Sequence, residues 1–246
     1  MKLCALLVIA LPALAQVLPF NEAGVTMGHH HLMVPDVAAQ KKIWIDVLGG
    51  QLSGNPGLEF VKFPGTFLIL SQGNTSQGSG GSALDHITFT LKDFNGTKAK
   101  LTAAGVKIVS EGKDVMMTEF PAGIRVEFLA EPVQAAPVMH LGMHFYATDI
   151  EAERAWWVKA FGAQTNKDGE TFIPGAILAL KKTEAPTVKT QGRAIDHTGV
   201  GVKNVNDYCQ KLNGLGITCE RAGATIAMVY SPAGVRVEIN QGLETR

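Results

Sequence analysis

The chain has 246 residues, 46% apolar and 18% charged, with 22 basic side chains balancing 22 acidic ones. This composition excludes a disordered chain, and the absence of net charge leaves no field to draw the protein onto nucleic acid. Three cysteines cannot build a disulfide framework, and the sequence has no CxxC pair of the zinc-binding kind.

Residues 1–15 read as a secretory signal peptide. Lys2 supplies the positive charge, residues 3–14 are almost wholly apolar, and Ala13-Leu14-Ala15 fits the small-x-small cleavage pattern. Cleavage after Ala15 leaves Gln16 as the first residue. The apolar run is too short to span a bilayer comfortably. The mature protein is therefore expected to be secreted or periplasmic, with no membrane partner. Cys4 is lost on cleavage. Cys209 and Cys219 are expected to be two small buried thiols, although an oxidising compartment permits a bond between them.

The rest of the chain repeats itself. Leu84-Asp85-His86 recurs as Ile195-Asp196-His197, and PAGIRVEF at 121–128 recurs as PAGVRVEI at 232–239, both at an offset of 111. Residues 36–50 resemble 149–163 at an offset of 113, and 63–70 resemble 173–180 at 110. Four modules result: 25–72, 83–131, 138–182 and 193–241. They group as a first half, 25–131, and a second half, 138–241. Residues 71–82, 131–137 and 183–192 read as the joints, the first a flexible Gly/Ser tract.

Each module has one local grammar. It opens on a strand, as in His86-Ile-Thr-Phe-Thr-Leu with its period of two. A capping residue follows (Asp36, Asp93, Asp149 or Asn204), then a helix that ends at glycine. Ile43, Trp44, Val47 and Leu48 form a one-sided apolar stripe, repeated as Trp156, Trp157, Ala160 and Phe161, and both read as core. Two or three further strands close the module. The fold class is thus α+β, with four βαβββ modules in tandem.

This pattern resembles the vicinal oxygen chelate superfamily, which includes glyoxalase I, extradiol dioxygenases, fosfomycin-resistance proteins and bleomycin-resistance proteins. The marks are His-x6-Asp leading into a helix that ends in LGG or FGA, then PxG-x3-E on the closing strand. The resemblance covers residues 25–241. It implies modules paired into two open β-barrel-like halves with helices outside and a divalent metal ion within.

In that family the first-strand ligand lies seven residues before the helix cap, which selects His29, His86, Gly142 and His197. The closing-strand ligand lies four residues after the turn glycine, which selects Ile69, Glu127, Ala179 and Glu238. With the first module paired to the second, the resemblance implies a metal set of His29, His86 and Glu127. Two histidines and a carboxylate suit Fe(II) or Mn(II), with Zn or Ni as alternatives. Ile69 at the fourth place counts against glyoxalase I activity, which uses four protein ligands. A second set would comprise His197 and Glu238 with His144, since His140 and His144 flank Gly142 on one strand face. Pairing the first module with the last would instead join His29, His197 and Glu238, and the sequence leaves that choice open.

His29 and His31 point to one face of their strand and His30 to the other, which makes His31 the candidate catalytic base. Arg125 and Arg236 share strand faces with Glu127 and Glu238, so ion pairs there are the rival to metal. Asp85 and Asp196 are expected on the opposite face, in turn or surface contacts.

The resemblance implies an exported metal-dependent enzyme, dioxygenase-like or lyase/isomerase-like, acting on a small chelating oxygenated substrate. The alternative is a metal-free protein of the bleomycin-resistance type that sequesters a small molecule. A tandem chain can pair its own modules, so a monomer is expected.

Overall fold

The computed structural model describes residues 17–55 and 58–242. The expected signal peptide, residues 1–15, lies outside the described residues. The four modules follow the predicted grammar. The first comprises β1 (Val25–Val34), α1 (Val37–Lys41), β2 (Gln51–Asn55), β3 (Leu58–Phe63) and β4 (Thr66–Gln72), with α1 running on into a wide π-helical turn over Lys42–Val47. The second comprises β5 (Leu84–Leu91), α2 (Phe94–Ala103), β6 (Lys107–Glu111), β7 (Val115–Phe120) and β8 (Ile124–Ala130). The third comprises β9 (Val138–Ala147), α3 (Ile150–Phe161), β10 (Gln164–Thr165), β11 (Thr171–Ile173) and β12 (Ala176–Lys182). The fourth comprises β13 (Ile195–Val202), α4 (Val205–Gly214), β14 (Glu220–Arg221), β15 (Ile226–Tyr230) and β16 (Arg236–Asn240).

All four predicted caps act as caps. The side chains of Asp36, Asp93, Asp149 and Asn204 accept hydrogen bonds from the backbone N–H groups of Ala39, Gly96, Ala152 and Asp207. Gly162 ends α3 in the left-handed region at φ 63°, where a side chain would be strained.

The sheets do not follow the two sequence halves. The first sheet has the order β14-β15-β16-β13-β1-β4-β3-β2, which joins the first module to the last. The second has the order β10-β11-β12-β9-β5-β8-β7-β6, which joins the second module to the third. Both are seamed by an antiparallel pair of opening strands, β1 with β13 and β5 with β9. The pairing of first with second and third with fourth is corrected accordingly.

Sequence neighbours meet through their helices instead. Trp44, fully buried, packs on Phe89 and Phe120 of the second module, and its indole N–H donates to Gln40. Gln40 in turn donates to the carbonyl of Pro121 at 2.7 Å. The arrangement recurs 113 residues on: the Trp157 indole donates to Glu153, which accepts from the Ala233 N–H of the fourth module. Burying an aromatic of this size contributes on the order of 3 kcal/mol, and the satisfied indole avoids a desolvation cost. The tryptophan clusters are core, as expected.

Two other expectations change. Cys209 and Cys219 are bonded, because α4 and the segment after it bring their Cα atoms to 5.4 Å. The tract 71–82 is tied down rather than free. Gly78 lies against the backbone of Gly123, Ser79 and Ser82 are fully buried, and the Arg193 guanidinium donates to the carbonyls of Gly78 and Gly80. Only residues this small fit so close to another backbone. No helix among the described residues is long and apolar enough to cross a membrane.

Candidate metal centres

The sheet pairing sorts the predicted ligands into two clusters. His29, His31, His197 and Glu238 gather in the first sheet, and His86, Glu127 and His144 gather in the second. His29 is therefore not brought together with His86 and Glu127. His31 faces His197 across the β1–β13 seam, and His144 faces His86 across β9–β5. With the repeat offsets of 113 and 111, His31 corresponds to His144, His197 to His86, and Glu238 to Glu127. Ile69 sits beside His31 and Ala179 beside His144, so both fourth places are apolar.

Bulges explain where the faces differ from a period of two. The register skips a residue at Gly28 in β1 and at Leu141 in β9. A bulge turns the next side chains over. His140 thus leaves the face it was expected to share with His144. Its Nε2 lies 3.0 Å from His30 Nε2, buried between the two sheets, and its Nδ1 lies 3.0 Å from the Gly175 carbonyl. The expected face of His30, opposite to His29 and His31, is what makes this pair.

A second bulge in each seam falls at Asp85 and at Asp196. It swings both carboxylates back onto the histidines instead of outward. Asp85 lies 2.8 Å from His86 Nδ1, and Asp196 lies 2.5 Å from His197 Nδ1. Arg125 and Arg236 turn to these aspartates, at 3.2 and 2.5 Å, and not to the glutamates. A histidine held at Nδ1 by a carboxylate presents Nε2 to the site, the arrangement that orients metal-ligating imidazoles. Sequence reasoning missed the two aspartates, and their adjacency to the histidines was the available signal.

In the second sheet, Glu127 Oε2 lies 3.3 Å from His144 Nε2 and 3.9 Å from His86 Nε2, and accepts from Thr88 at 3.2 Å. His86 Nε2 is buried with no hydrogen-bond partner. The bond to His144, opposed by burial, holds the Glu127 carboxyl below its ordinary value of 4.5, while burial keeps His86 below 6.5. A carboxylate beside the neutral imidazole of His86 is a donor set ready for a cation. A cavity of about 500 Å³ opens onto it, with Val109, Met116 and Met117 on one side and Arg125, Tyr146 and Lys181 on the other. A cleft of similar size between residues 64–65 and 172–177 is apolar and touches none of the seven clustered residues.

In the first sheet, Glu238 lies 3.1 Å from His197 Nε2 and 3.7 Å from His29 Nε2, and Asn240 donates to its Oε1 at 2.8 Å. Burial works against the charge of Glu238, but His29 and His197 together bring its carboxyl down to about 2. Burial opposes the imidazolium of His197 too, yet bonds to Asp196 and Glu238 raise it above 6.5. Burial lowers His29 to about 4 and His31 to about 3. His31 Nε2 lies 2.8 Å from Ser71 Oγ, within this cluster and away from the cavity of the second sheet. Both nitrogens of His29 are buried without a hydrogen-bond partner. These orphaned ring nitrogens fit a metal ion at either cluster.

Residues 26–128 match the family model for the Glyoxalase/Bleomycin resistance protein/Dioxygenase superfamily. Over these residues the chain resembles a domain of this superfamily. Its fold is similar to that of maize (Zea mays) glyoxalase I, with a TM-score of 0.68 at 16% identity over 90% of this chain and 94% of that one. A Bacillus subtilis protein described as a dioxygenase gives 0.67 at 14% identity, over 87% and 84%. A third likeness, to the cppA protein of Streptococcus pneumoniae, gives 0.53 at 10% identity over 93% and 100%. No curated protein matches the sequence. Superfamily domains of this kind typically bind divalent metals, and the fold suits a small-molecule ligand.

Proposed function

We propose that the protein is an exported, divalent-metal-dependent enzyme whose reaction centre is the second-sheet cluster. Its substrate is a small oxygenated molecule able to chelate the ion, and its chemistry is dioxygenase-like or lyase/isomerase-like. The observation that carries this reading is the cavity lined by His86 and Glu127 of a two-histidine, one-carboxylate set, in which His86 Nε2 is orphaned.

His86 Nε2, His144 Nε2 and Glu127 would hold the ion, and three protein ligands leave positions for substrate oxygens. Bound there, Fe(II) or Mn(II) supplies Lewis-acid polarisation of those oxygens and, for iron, redox capacity. Asp85 keeps the proton on His86 Nδ1; burial opposes its charge, but the bonds from His86 and the Gly81 N–H, with Arg125 beside it, hold its carboxyl below 3.8. Tyr146 holds its phenolic proton through neutral pH, because burial, with Asp85 and Glu127, pushes its pKa above 10. It can donate a hydrogen bond to a substrate oxygen. Lys181, exposed at the rim, favours an anionic substrate. Met116 and Met117 give the cavity an apolar wall that displaces water. The general base, first sought in His31, has to be sought in this cavity instead. The Cys209–Cys219 bond supports the export reading, since such bonds persist in oxidising compartments. Completion of both sheets within one chain supports a monomer.

The test uses Mn(II) and 4-nitrocatechol as a bidentate probe. Water-proton relaxation should report water on bound Mn(II), and the catechol should displace it. The His86→Ala/Glu127→Ala variant should lose the effect. Binding of Mn(II) without displacement, or no binding at all, would overturn the proposal and favour a metal-free sequestering protein.

A further inference from the structure

We infer that the substrate of the second-sheet centre carries an unbranched apolar arm, and that the arm lies in the cleft between Pro64-Gly65 and residues 172–177. This deepens the reading of that cluster as the reaction centre and rests on it.

The cleft holds about 510 Å³, and Met139, Leu141, Phe172 and Ile177 form its apolar walls. Small-molecule sites are commonly of this size and character. The cleft touches none of the clustered residues, yet it lies on their face of the sheet. Side chains alternate along a strand, so Ile177, Ala179 and Lys181 point the same way from β12. Lys181 lines the cavity over the cluster, Ala179 stands beside His144, and Ile177 lines the cleft. Phe172 pairs with Ile177 and shares that face. Across the seam, Thr88 donates to Glu127, and Thr90 follows on the same face of β5 with Met139 opposite it. The cluster thus lies between the two cavities. From Ala179 to Ile177 is about 7 Å along the strand, a span that a short alkyl chain covers.

The chemistry of the cleft suits a neutral arm. His140 lines it, but its two ring nitrogens are taken by His30 and the Gly175 carbonyl. Glu170, also on its lining, is exposed and repels an anionic end. Head and arm therefore divide between the cavities. Oxygens and negative charge go to the ion, Tyr146 and Lys181, and methylenes go to the cleft. Their burial there is favourable without any hydrogen bond.

The first sheet shows the same face when it is filled. At the repeat offset of 110, Phe67 stands for Ile177, Ile69 for Ala179 and Phe60 for Glu170. Phe60, Phe67 and Ile69 form one cluster, 4%, 2% and 6% exposed, and Val17 packs against them. Phe172, Ile177 and Ala179 are only half-buried. Larger side chains and the start of the described chain fill this face in the first sheet. In the second sheet the substrate arm fills it.

The test compares 4-methylcatechol with 4-hexylcatechol under anaerobic conditions. Each is titrated against the water-relaxation signal of bound Mn(II) that His86→Ala/Glu127→Ala removes. The titrations are run on wild type, Phe172→Ala and Ala179→Ile. Isoleucine is the first sheet's own residue at the place of Ala179, so that variant should fold. In wild type the hexyl compound should bind about 50-fold tighter, because about three methylenes reach the cleft and each is worth about fourfold. Either substitution should cut that ratio about tenfold, the first by removing a wall and the second by narrowing the passage. A wild-type ratio near one, or a large ratio that both variants keep, would overturn this inference, while displacement of water by 4-methylcatechol would leave the proposed reaction centre standing. Displacement by neither compound would overturn both.

Discussion

The two sheets carry corresponding clusters whose surroundings differ. In the first the His29 ring fills the space over Gly199, whereas in the second Thr88 takes that space opposite Gly142, and a cavity of about 500 Å³ is lined by His86 and Glu127. The aspartates, the arginines behind them and the glutamates are the same in both. One chain therefore shows two surroundings for one shared frame of aspartate, arginine and glutamate.

That comparison can be broken most forcefully by removing donors. His86→Ala/Glu127→Ala should take the second-sheet site from about one ion to none and abolish displacement of water by the catechol, because a lone histidine does not hold a divalent ion well. A smaller effect is expected from the aspartates behind the histidines. Asp85→Asn removes the charged acceptor at 2.8 Å from His86 Nδ1. Metal affinity at the second sheet should fall about 10- to 100-fold, measured by calorimetric titration of the variant beside wild type.

Smaller again is the cost of crowding. Gly199→Ala puts a methyl group where the His29 ring lies, and should destabilise the metal-free protein by about 1–3 kcal/mol. Thermal denaturation should show a fall of about 2–4 °C for each kcal/mol in a chain of this size.

The gentlest probe is pH, applied to the metal-free protein. His140 is buried and held at about 4 against 6.5. The unfolded chain takes up that proton first, so stability should fall as pH drops from about 6.5 towards 4. Glu238 is held at about 2 against 4.5. Its contribution is present above pH 4.5 and is lost as pH falls through about 2. Urea midpoints should decline in both windows, and Glu238→Gln should flatten the lower one.

Much of the architecture was legible. Helix caps at Asp36, Asp93, Asp149 and Asn204, the tryptophan stripes and the duplicated ligands all have local signatures, since capping and periodicity are local physics. The sheet pairing was not, because any two opening strands of similar pattern can form the seam, and no residue within a strand names its partner. The bulges were not legible either. A one-residue slip at Gly28, Leu141, Asp85 or Asp196 leaves the composition unchanged and yet inverts which side chains face the site. For that reason the sequence puts His140 on the face of His144 and turns the aspartates outward.

The most direct measurement is an anomalous difference map from crystals of the protein soaked in Mn(II). A peak between His86 Nε2, His144 Nε2 and Glu127, facing the cavity, is the result this account predicts. A map with no peak at those three side chains, at full Mn(II) occupancy elsewhere or none, would contradict it.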